Sequence, residues 1–506
     1  MSRLKLNVIA NYAGTAWVSL LSLVLVPFYL HILGAEAYGL VGFLIALRSA
    51  LSILDLGLGS VVNREVAHNV ARPETRNKAG SITRTVEVIY WIVGIILCGL
   101  IIVSSNTIAG SWLNAEKLSA QTIQQGLIVF AVTVAVSWPV AVYRGVLRAM
   151  ERQALYNGLL AVTSAIRGIG ALLVITLISP TVTMFLMWQL VASAIEVAVM
   201  GIASWRVLEG AGVSQRRFDP VQLRERGRFI ASVSAISMLA IAISQLDKLY
   251  VSKLLVLEQL GYYTVALTLA TAILRIVVPI ATAVAPRLTA TYSLRELGRF
   301  QATYERANRI VAFLVVPAAL VLAFFGEDIL HVWLQSAEAA ARSHVALSFL
   351  AIGNMLAAMI YLSPSLQYAA DNTRFQLYFN LATAAWLVPG LYVAVGKWGI
   401  NGAAACSMMT NLIGYAIVPI IMQRKIFHRE HDLHKAWAGF EFVLLGVVIF
   451  GSVWAIGLLS GVSRDVRAIL ILLGLMMYAG ISYVAHRKEV HGTMTGFLKT
   501  IRHRTE

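Results

Sequence analysis

The stretch "FYLHILGAEAYGLVGFLIAL" (residues 28–47) contains the end of one long apolar segment and the start of the next. Gly34, Glu36 and Gly39 interrupt the apolar residues over only a few positions. Each flanking segment can form a helix of about 20 residues, which is long enough to cross a membrane. The stretch therefore predicts two membrane helices joined by a very short loop.

The composition excludes a soluble protein of this length. The chain has 506 residues, of which 58% are hydrophobic and 13% are charged, and its mean hydropathy is +0.75. These values predict a polytopic helical membrane protein. The net charge of +16 would also suit nucleic acid. Because basic residues gather in cytoplasmic loops of membrane proteins, we expect no nucleic-acid partner. Two cysteines are too few for a disulfide framework or a metal cluster.

The apolar segments predict fourteen membrane helices, with both termini in the cytoplasm. The predicted spans are 8–33, 38–63, 86–105, 126–148, 157–179, 182–205, 229–255, 262–286, 309–325, 344–369, 376–396, 399–422, 439–460 and 467–486. Only six of the 41 Lys and Arg residues then fall outside: Lys117, Lys253, Arg342, Lys397, Arg464 and Arg467. This asymmetry follows the positive-inside rule, which supports the orientation.

The two halves of the chain resemble each other at a shift of about 220 residues. Residues 28–47 resemble "LYVSKLLVLEQLGYYTVALTL" (249–269), and "AMERQALYNGLLA" (149–161) resembles "YAADNTRFQLYFNLA" (368–382). Chance similarity between apolar helices is the alternative. We predict an all-α membrane protein with two parallel six-helix repeats around a central cavity. The predicted domains are an N-terminal bundle (1–205), a basic cytoplasmic linker (206–228), a C-terminal bundle (229–425), and two appended helices with a basic cytoplasmic tail (426–506).

Four segments carry a resemblance to a known family. "LVPFYLHILGAEAYGL" (25–40) and "LSILDLGLGSVVNREVA" (51–67) resemble the start of polysaccharide repeat-unit flippases of the Wzx/PST type, in the MATE-like (MOP) exporter superfamily. "SQLDKLYVSKLLVLEQLGYYTVA" (244–266) and "RIVVPIATAVAPRLT" (275–289) resemble the opening of that family's second half. The resemblance is diffuse, covers most of residues 7–425, and includes no catalytic signature.

The resemblance implies a transporter of the bacterial inner membrane rather than an enzyme. Its expected cargo is an undecaprenyl-diphosphate-linked oligosaccharide, flipped from the cytoplasmic to the periplasmic leaflet for surface polysaccharides such as O-antigen, lipopolysaccharide or exopolysaccharide. Glycosyltransferases and a polysaccharide polymerase are the expected partner enzymes. Helices 1, 2, 7 and 8 are expected to line the cavity.

Seven ionisable residues are the candidates for burial inside the predicted spans, where each has a high cost in free energy. They are Arg48, Asp55, Arg167, Glu196, Asp247, Lys248 and Arg275. Arginine presents a planar set of donors that suits a diphosphate. We therefore predict that Arg48 and Arg275 clamp the diphosphate, with Lys248 nearer the exit and Arg167 as a further candidate. The alternative is that each arginine only neutralises a buried carboxylate, for instance Arg48 in the neighbourhood of Asp55 or Arg167 with Glu196.

The three carboxylates Asp55, Glu196 and Asp247 are candidates for coupling to H⁺ or Na⁺. Structural ion pairing is the alternative, and no cofactor or metal is expected. Adjacent helical residues point about 100° apart, so we expect no salt bridge between Asp247 and Lys248. We expect Lys248 to extend toward the outer end of its helix instead.

Other signals indicate structure rather than chemistry. "LGLGS" (56–60) has no following Gly-Lys-Ser/Thr, so it is read as small residues at a helix contact. "HREHDLHK" (428–435) is read as a solvated basic loop rather than a metal site. Trp112 is expected to lie at the outer membrane interface. Sugar contacts are expected from scattered polar residues such as Asn11, Tyr12, Gln245 and Asn354.

Three other functions remain open. A multidrug or cation antiporter of the same superfamily is disfavoured by the basic cavity candidates, the absence of a carboxylate from helix 1 and the two extra helices. A membrane enzyme such as a polymerase or ligase is disfavoured by the short outer loops. A lipid II flippase stays open, because its cargo also carries a diphosphate.

Overall fold

The computed structural model describes residues 3–55, 57–219, 227–369, 374–427, 437–460 and 462–485. The described chain consists of helices and short connections. In chain order the helices are α1 Arg3–Leu33, α2 Ala35–Leu51, α3 Leu58–Val70, α4 Arg76–Thr107, α5 Ala120–Ser137, α6 Val140–Ala149, α7 Gln153–Leu177, α8 Val182–Gly210, α9 Gly227–Leu254, α10 Leu257–Ser293, α11 Leu297–Phe324, α12 Gly326–Leu334, α13 Ala337–Met359, α14 Ser363–Ala369, α15 Arg374–Lys425, α16 Phe440–Leu459 and α17 Arg464–Ala485.

The multi-pass membrane fold predicted from the sequence is confirmed. Twelve helical segments within the described residues are long and apolar enough to span a membrane. One of them, Phe375–Lys425, contains a non-helical residue at Gly399 and therefore includes two of the predicted spans. Helix α9, with 28 residues, matches the predicted span at 229–255. The structure is therefore consistent with about fourteen crossings.

Two of the predicted spans are each divided into two helices. The predicted helix at 38–63 becomes α2, a short 3₁₀ segment Ser52–Asp55, and then α3. Gly57 separates the last two with a φ of 68°, a left-handed conformation that glycine adopts without steric cost. The predicted helix at 126–148 likewise becomes α5 and α6, separated at Pro139. Proline has no N–H to continue the helical hydrogen bonds, which explains the second break.

Glycines let α3 and α6 approach each other closely. A Cβ atom at Gly59 would lie 3.2 Å from the carbonyl oxygen of Ala141, and one at Gly145 would lie 2.6 Å from that of Gly59. Close backbone contact of this kind is common between membrane helices, where small residues replace a hydrophobic driving force. The part of "LGLGS" that the structure describes therefore forms a helix contact as predicted, with the additional break at Gly57.

The chain divides into two compact units, Met1–Gly261 and Tyr262–Glu506. In the first unit, helices α3, α4, α6, α7 and α8 enclose a core whose largest fully buried side chains include Tyr90 and Met200. In the second unit, α16 and α17 pack on α11 through a cluster of aromatic rings, in which Tyr478 stacks on Phe313 with a centroid distance of 6.1 Å. The domain boundaries predicted from the sequence stay a prediction.

Candidate functional site

A highly charged site inside the first unit is built around Glu196. Its carboxylate is buried on α8 and pairs with two arginines: Oε1 lies 2.8 Å from Nη2 of Arg144, and Oε2 lies 2.7 Å from Nη2 of Arg167. The Nη1 group of Arg167 also donates to Ser193 Oγ at 3.1 Å and Gln189 Oε1 at 3.3 Å. The predicted alternative in which Arg167 pairs with Glu196 is therefore what the structure shows.

Arg48 adds a third guanidinium to this group. It interacts electrostatically with Arg144, Arg167 and Glu196, and its side chain is exposed. Among the described residues no hydrogen bond or ion pair neutralises it. Arg48 lies roughly 20 Å along α2 from Ala35, at about 1.5 Å per residue, which places it well inside a membrane span. We call Arg48, Arg144, Arg167 and Glu196 the arginine cluster.

The arginine cluster carries more positive charge than its carboxylate neutralises. Three guanidinium groups surround one carboxylate, so the net charge of the group is about +2 when all four side chains are ionised. A single unpaired charge inside a membrane costs at least about 3 kcal/mol. If the arginines served only to neutralise Glu196, one would suffice. With this excess charge, the arginine cluster can attract an anion.

Four helices position the arginine cluster, and the break at Pro139 places one of its members. Arg48 comes from α2, Arg144 from α6, Arg167 from α7 and Glu196 from α8. Sequence reasoning missed Arg144, because a continuous span at 126–148 places this residue next to the cytoplasm. The Trp-Pro pair at 138–139 was the signal that a second, separately directed helix begins there.

Asp55 lies apart from the arginine cluster and has a different partner. It ends the 3₁₀ segment, and the hydroxyl of Tyr90 donates a hydrogen bond to its carboxylate. Tyr90 itself is fully buried on α4. The predicted alternative was that Arg48 is neutralised in the neighbourhood of Asp55. In the structure, Arg48 instead interacts with the charged groups around Glu196.

The prediction for Asp247 and Lys248 was wrong. Lys248 Nζ lies 3.1 Å from Asp247 Oδ1 and donates to the carbonyl oxygen of Ser244 at 2.7 Å. The lysine side chain thus folds back by one helical turn and does not extend toward the outer end of α9. The 100° rotation between neighbours applies to their Cβ atoms, and the four-carbon stem of lysine is long enough to overcome it. Asp247 is buried, as expected.

The remaining candidates are placed as follows. Arg275 is half-buried on α10, in the second unit, and its predicted role beside Arg48 is untested. Gln245 donates to Ser244 Oγ at 2.8 Å, and Asn354 has a buried Nδ2 without a hydrogen-bond partner among the described residues. The side chains of Asn11 and Tyr12, and the histidine-rich segment 428–435, lie outside the described residues. No group of His, Cys, Asp and Glu in the described chain is arranged to hold a metal ion.

A second polar network joins three segments at the end of the first unit that is predicted to face outward. The buried Glu36 at the start of α2 accepts hydrogen bonds from the backbone N–H groups of residues 116–118, at distances from 2.8 to 3.1 Å. Leu257 N donates to Asn114 O at 2.7 Å, and Lys117 Nζ lies 3.1 Å from Glu258 Oε2. We call these three segments, 34–39, 108–118 and 252–261, the outer clasp.

Trp112 belongs to the outer clasp and is more than an interface residue. Its indole Nε1 donates to Ser252 Oγ at 3.1 Å, and the Lys253 ammonium lies 5.4 Å from its ring centroid. The backbones also touch: a Cβ atom at Gly39 would overlap the carbonyl oxygen of Leu257, and one at Gly261 would overlap that of Ala35. Gly39 and Gly261 occupy matching positions of the two repeated stretches that the sequence indicated.

Residues 4–291, more than half of the chain, match the family model described as "Polysaccharide biosynthesis protein". The chain belongs to this family. No curated protein is significantly similar to it in sequence. The family assignment agrees with the resemblance seen at residues 25–67 and 244–289.

The fold of this chain is similar to the folds of several solved structures. A lipid II flippase, MurJ, in an inward closed conformation is 14% identical, with 96% of this chain and 99% of that chain covered and a TM-score of 0.73. An inward-facing multidrug resistance MATE transporter of the MOP superfamily is 16% identical, with 85% and 96% covered and a TM-score of 0.63. A MOP superfamily transporter from Pyrococcus furiosus, described by the reverse polarity of its binding pocket, is 16% identical, with 84% and 96% covered and a TM-score of 0.55.

Proposed function

We propose that the protein flips a lipid-linked oligosaccharide with a diphosphate linkage, of the undecaprenyl-diphosphate type, from the cytoplasmic to the periplasmic leaflet of the bacterial inner membrane. The observation that carries the proposal is the arginine cluster. Its net charge of about +2 complements a diphosphate, which carries about two negative charges. Glycosyltransferases that make the cargo and a polymerase that consumes it are the partners that this activity requires.

The arginine cluster offers the diphosphate both attraction and a route to release. Arg48 is an exposed residue and is therefore the natural first contact. Arg144 and Arg167 are held by Glu196, with 39% and 24% of their side chains exposed, so each has donors left for a ligand. When the cargo leaves, Glu196 again accepts both arginines, which lowers the cost of the empty site. The predicted contributions of Arg275 and Lys248 to diphosphate binding are part of the proposal.

Coupling to an ion is the second part of the proposal, and Asp55 is its candidate group. Asp247 and Glu196 both pair with cationic side chains, so their protonation would break ion pairs. Asp55 instead accepts from the neutral hydroxyl of Tyr90. Because the Tyr90 hydroxyl is uncharged, Asp55 can gain or lose a proton without leaving an unpaired cation behind.

The test of the proposed function is transport by the full chain in proteoliposomes. A fluorescent lipid-diphosphate oligosaccharide is compared with the same sugar on a lipid monophosphate and with lipid II. We expect transport of the diphosphate oligosaccharide and a loss of at least about tenfold in Arg48→Ala and in Arg144→Ala. Arg72→Ala, which removes a charge from an exposed loop, serves as the control. Equal transport by all variants, or equal transport of the monophosphate, would contradict the proposal. Preferential transport of lipid II would identify lipid II as the cargo in place of the oligosaccharide.

A further inference from the structure

A cavity of about 430 Å³ lies in the first unit, outside the arginine cluster, where α7 begins and α8 ends. Two basic residues, Arg152 and Arg206, line it together with apolar side chains that include Leu155 and Val207. This end of both helices is predicted to be cytoplasmic. A cavity that combines basic and apolar walls at a membrane surface suits an amphipathic, negatively charged ligand.

The depth of the cavity matches the head-group layer of the bilayer. Arg152 directly precedes α7, and Arg206 lies roughly 36 Å along α8 from Val182, at about 1.5 Å per residue. The hydrocarbon core is about 30 Å thick, so both arginines lie beyond its edge. On the hydrocarbon side of them, Leu155 and Ile202 are 40% and 55% exposed and present an apolar surface to lipid chains.

No ion pair within the described part of the chain accounts for Arg152 and Arg206. Among the described residues, neither guanidinium forms a salt bridge or a side-chain hydrogen bond. Arg216 is different, since it pairs with Glu209 at the end of α8 and lies over the Trp205 ring, 4.6 Å from its centroid. The charge of the cavity is therefore uncompensated by the described protein, whereas that of its neighbour is compensated.

The second unit contains a cavity of similar size whose chemistry differs. It encloses about 460 Å³ and is lined by residues such as Tyr361, Ser363, Gln376 and Phe379. Gln376 and Phe379 fall in the segment 368–382 that matches 149–161, which contains Arg152 and Leu155. The described lining of this second cavity has no basic residue. The described side chains that line the two cavities thus differ in charge, and only those of the first cavity include arginines.

We propose that the cavity at Arg152 and Arg206 binds an anionic phospholipid of the cytoplasmic leaflet. The head-group phosphate lies between the two guanidinium groups, and the acyl chains follow the exposed apolar surface of α7 and α8. Both arginines can donate paired, charge-assisted hydrogen bonds to one phosphate, and this geometry favours arginine over lysine. The bound lipid fills the cavity and neutralises about half of its charge, independently of any transported cargo.

The test measures lipid binding to the purified full chain by native mass spectrometry during titration with phosphatidylglycerol or phosphatidylcholine. The double variant Arg152→Gln, Arg206→Gln is compared with Arg72→Gln, Arg295→Gln, which removes the same charge from exposed loops on the same predicted side. We expect one tightly bound phosphatidylglycerol on the wild type and on the control. Its dissociation constant should rise about tenfold in the double variant.

Three results would overturn this proposal, and none of them bears on transport of the cargo. These are equal binding of phosphatidylglycerol by the double variant and the control, equally tight binding of phosphatidylcholine, and complete displacement of the lipid by millimolar inorganic phosphate. The last result would identify a free-phosphate site. Should the double variant fail to fold, Ala203→Leu narrows the cavity and leaves both arginines in place. It is expected to weaken phosphatidylglycerol binding, and unchanged binding would count against the proposal.

Discussion

Replacement of Glu196 by glutamine is the sharpest perturbation of the arginine cluster, because it removes one charge and almost no volume. Glutamine keeps one carbonyl oxygen, so it can still accept a hydrogen bond from Arg144 or Arg167. The change therefore removes the ion pairing of the two arginines at 2.8 and 2.7 Å while the packing around α8 is kept. The net charge of the group rises from about +2 to about +3.

The expected cost to the empty protein is moderate. Breaking a fully buried ion pair costs about 3–5 kcal/mol. Arg167 and Arg144 keep 24% and 39% of their side chains exposed, so solvent stabilises their freed charges and the cost is smaller. We expect the free energy of unfolding to fall by about 2 kcal/mol. Glu209→Gln, on the same helix but in a half-exposed pair with Arg216, should change it by less than about 1 kcal/mol.

The expected effect on cargo has the opposite sign. A carboxylate roughly 8 Å from a phosphate charge repels it by about 2 kcal/mol at an effective dielectric constant of about 20. Allowing for screening, its removal should tighten binding of the lipid diphosphate by about 1.4 kcal/mol, which is tenfold. Release then becomes slower, and we expect transport at saturating cargo to fall about tenfold. The two assays are a binding titration with the fluorescent cargo and the proteoliposome transport measurement.

The reasoning would be refuted if Glu196→Gln bound and transported the cargo like Glu209→Gln. Weaker binding in Glu196→Gln would also refute it, because a carboxylate that only orients the arginines should cause loss, not gain, of affinity when it is removed. Tighter binding together with slower transport is the combination that a purely structural ion pair does not produce.

Three further predictions concern other parts of the first unit. Glu36→Gln weakens three hydrogen bonds from the backbone of residues 116–118, so we expect the free energy of unfolding to fall by about 1–2 kcal/mol. A cysteine introduced into this loop should also be labelled faster, which can be measured in membranes. Gly39→Ala forces α2 away from the Leu257 carbonyl and should sharply reduce the yield of folded protein, whereas Gly99→Ala, with open space around it, should not. Asp55→Asn should abolish any acceleration of transport by a pH gradient and leave cargo binding unchanged within about twofold. Persistence of the acceleration would exclude Asp55 as the coupling group.

The sequence predicts the fold of this protein well because hydropathy is a strong local signal. Span length and the scarcity of charge inside spans follow directly from the cost of polar groups in hydrocarbon. Hydropathy alone does not detect the breaks at Gly57 and Pro139, because apolar residues continue on both sides of each break. Gly57 adopts a positive φ, which depends on packing as well as on residue type.

The candidate site was predicted in part. Listing ionisable residues inside spans identified Arg48, Arg167 and Glu196, since hydropathy marks them as anomalies. Arg144 was missed because its membership depends on the separate direction of α6. The pairing of Asp247 with Lys248 was missed for another reason: Cβ geometry predicts which helix faces residues occupy, but a long side chain chooses its partner from everything within its reach.

The charge balance of the arginine cluster bears on how a flippase can be both selective and fast. Three arginines without a carboxylate would hold a diphosphate tightly, and a tightly held cargo leaves slowly. One carboxylate buried behind two of the arginines gives them an alternative partner at 2.7–2.8 Å, which competes with the cargo for the same donors. Under the proposed function, Arg48, which has no such partner among the described residues, distinguishes a diphosphate from a neutral lipid. Affinity for the anion and ease of its release are thus assigned to different residues, and each can be tested by substitution.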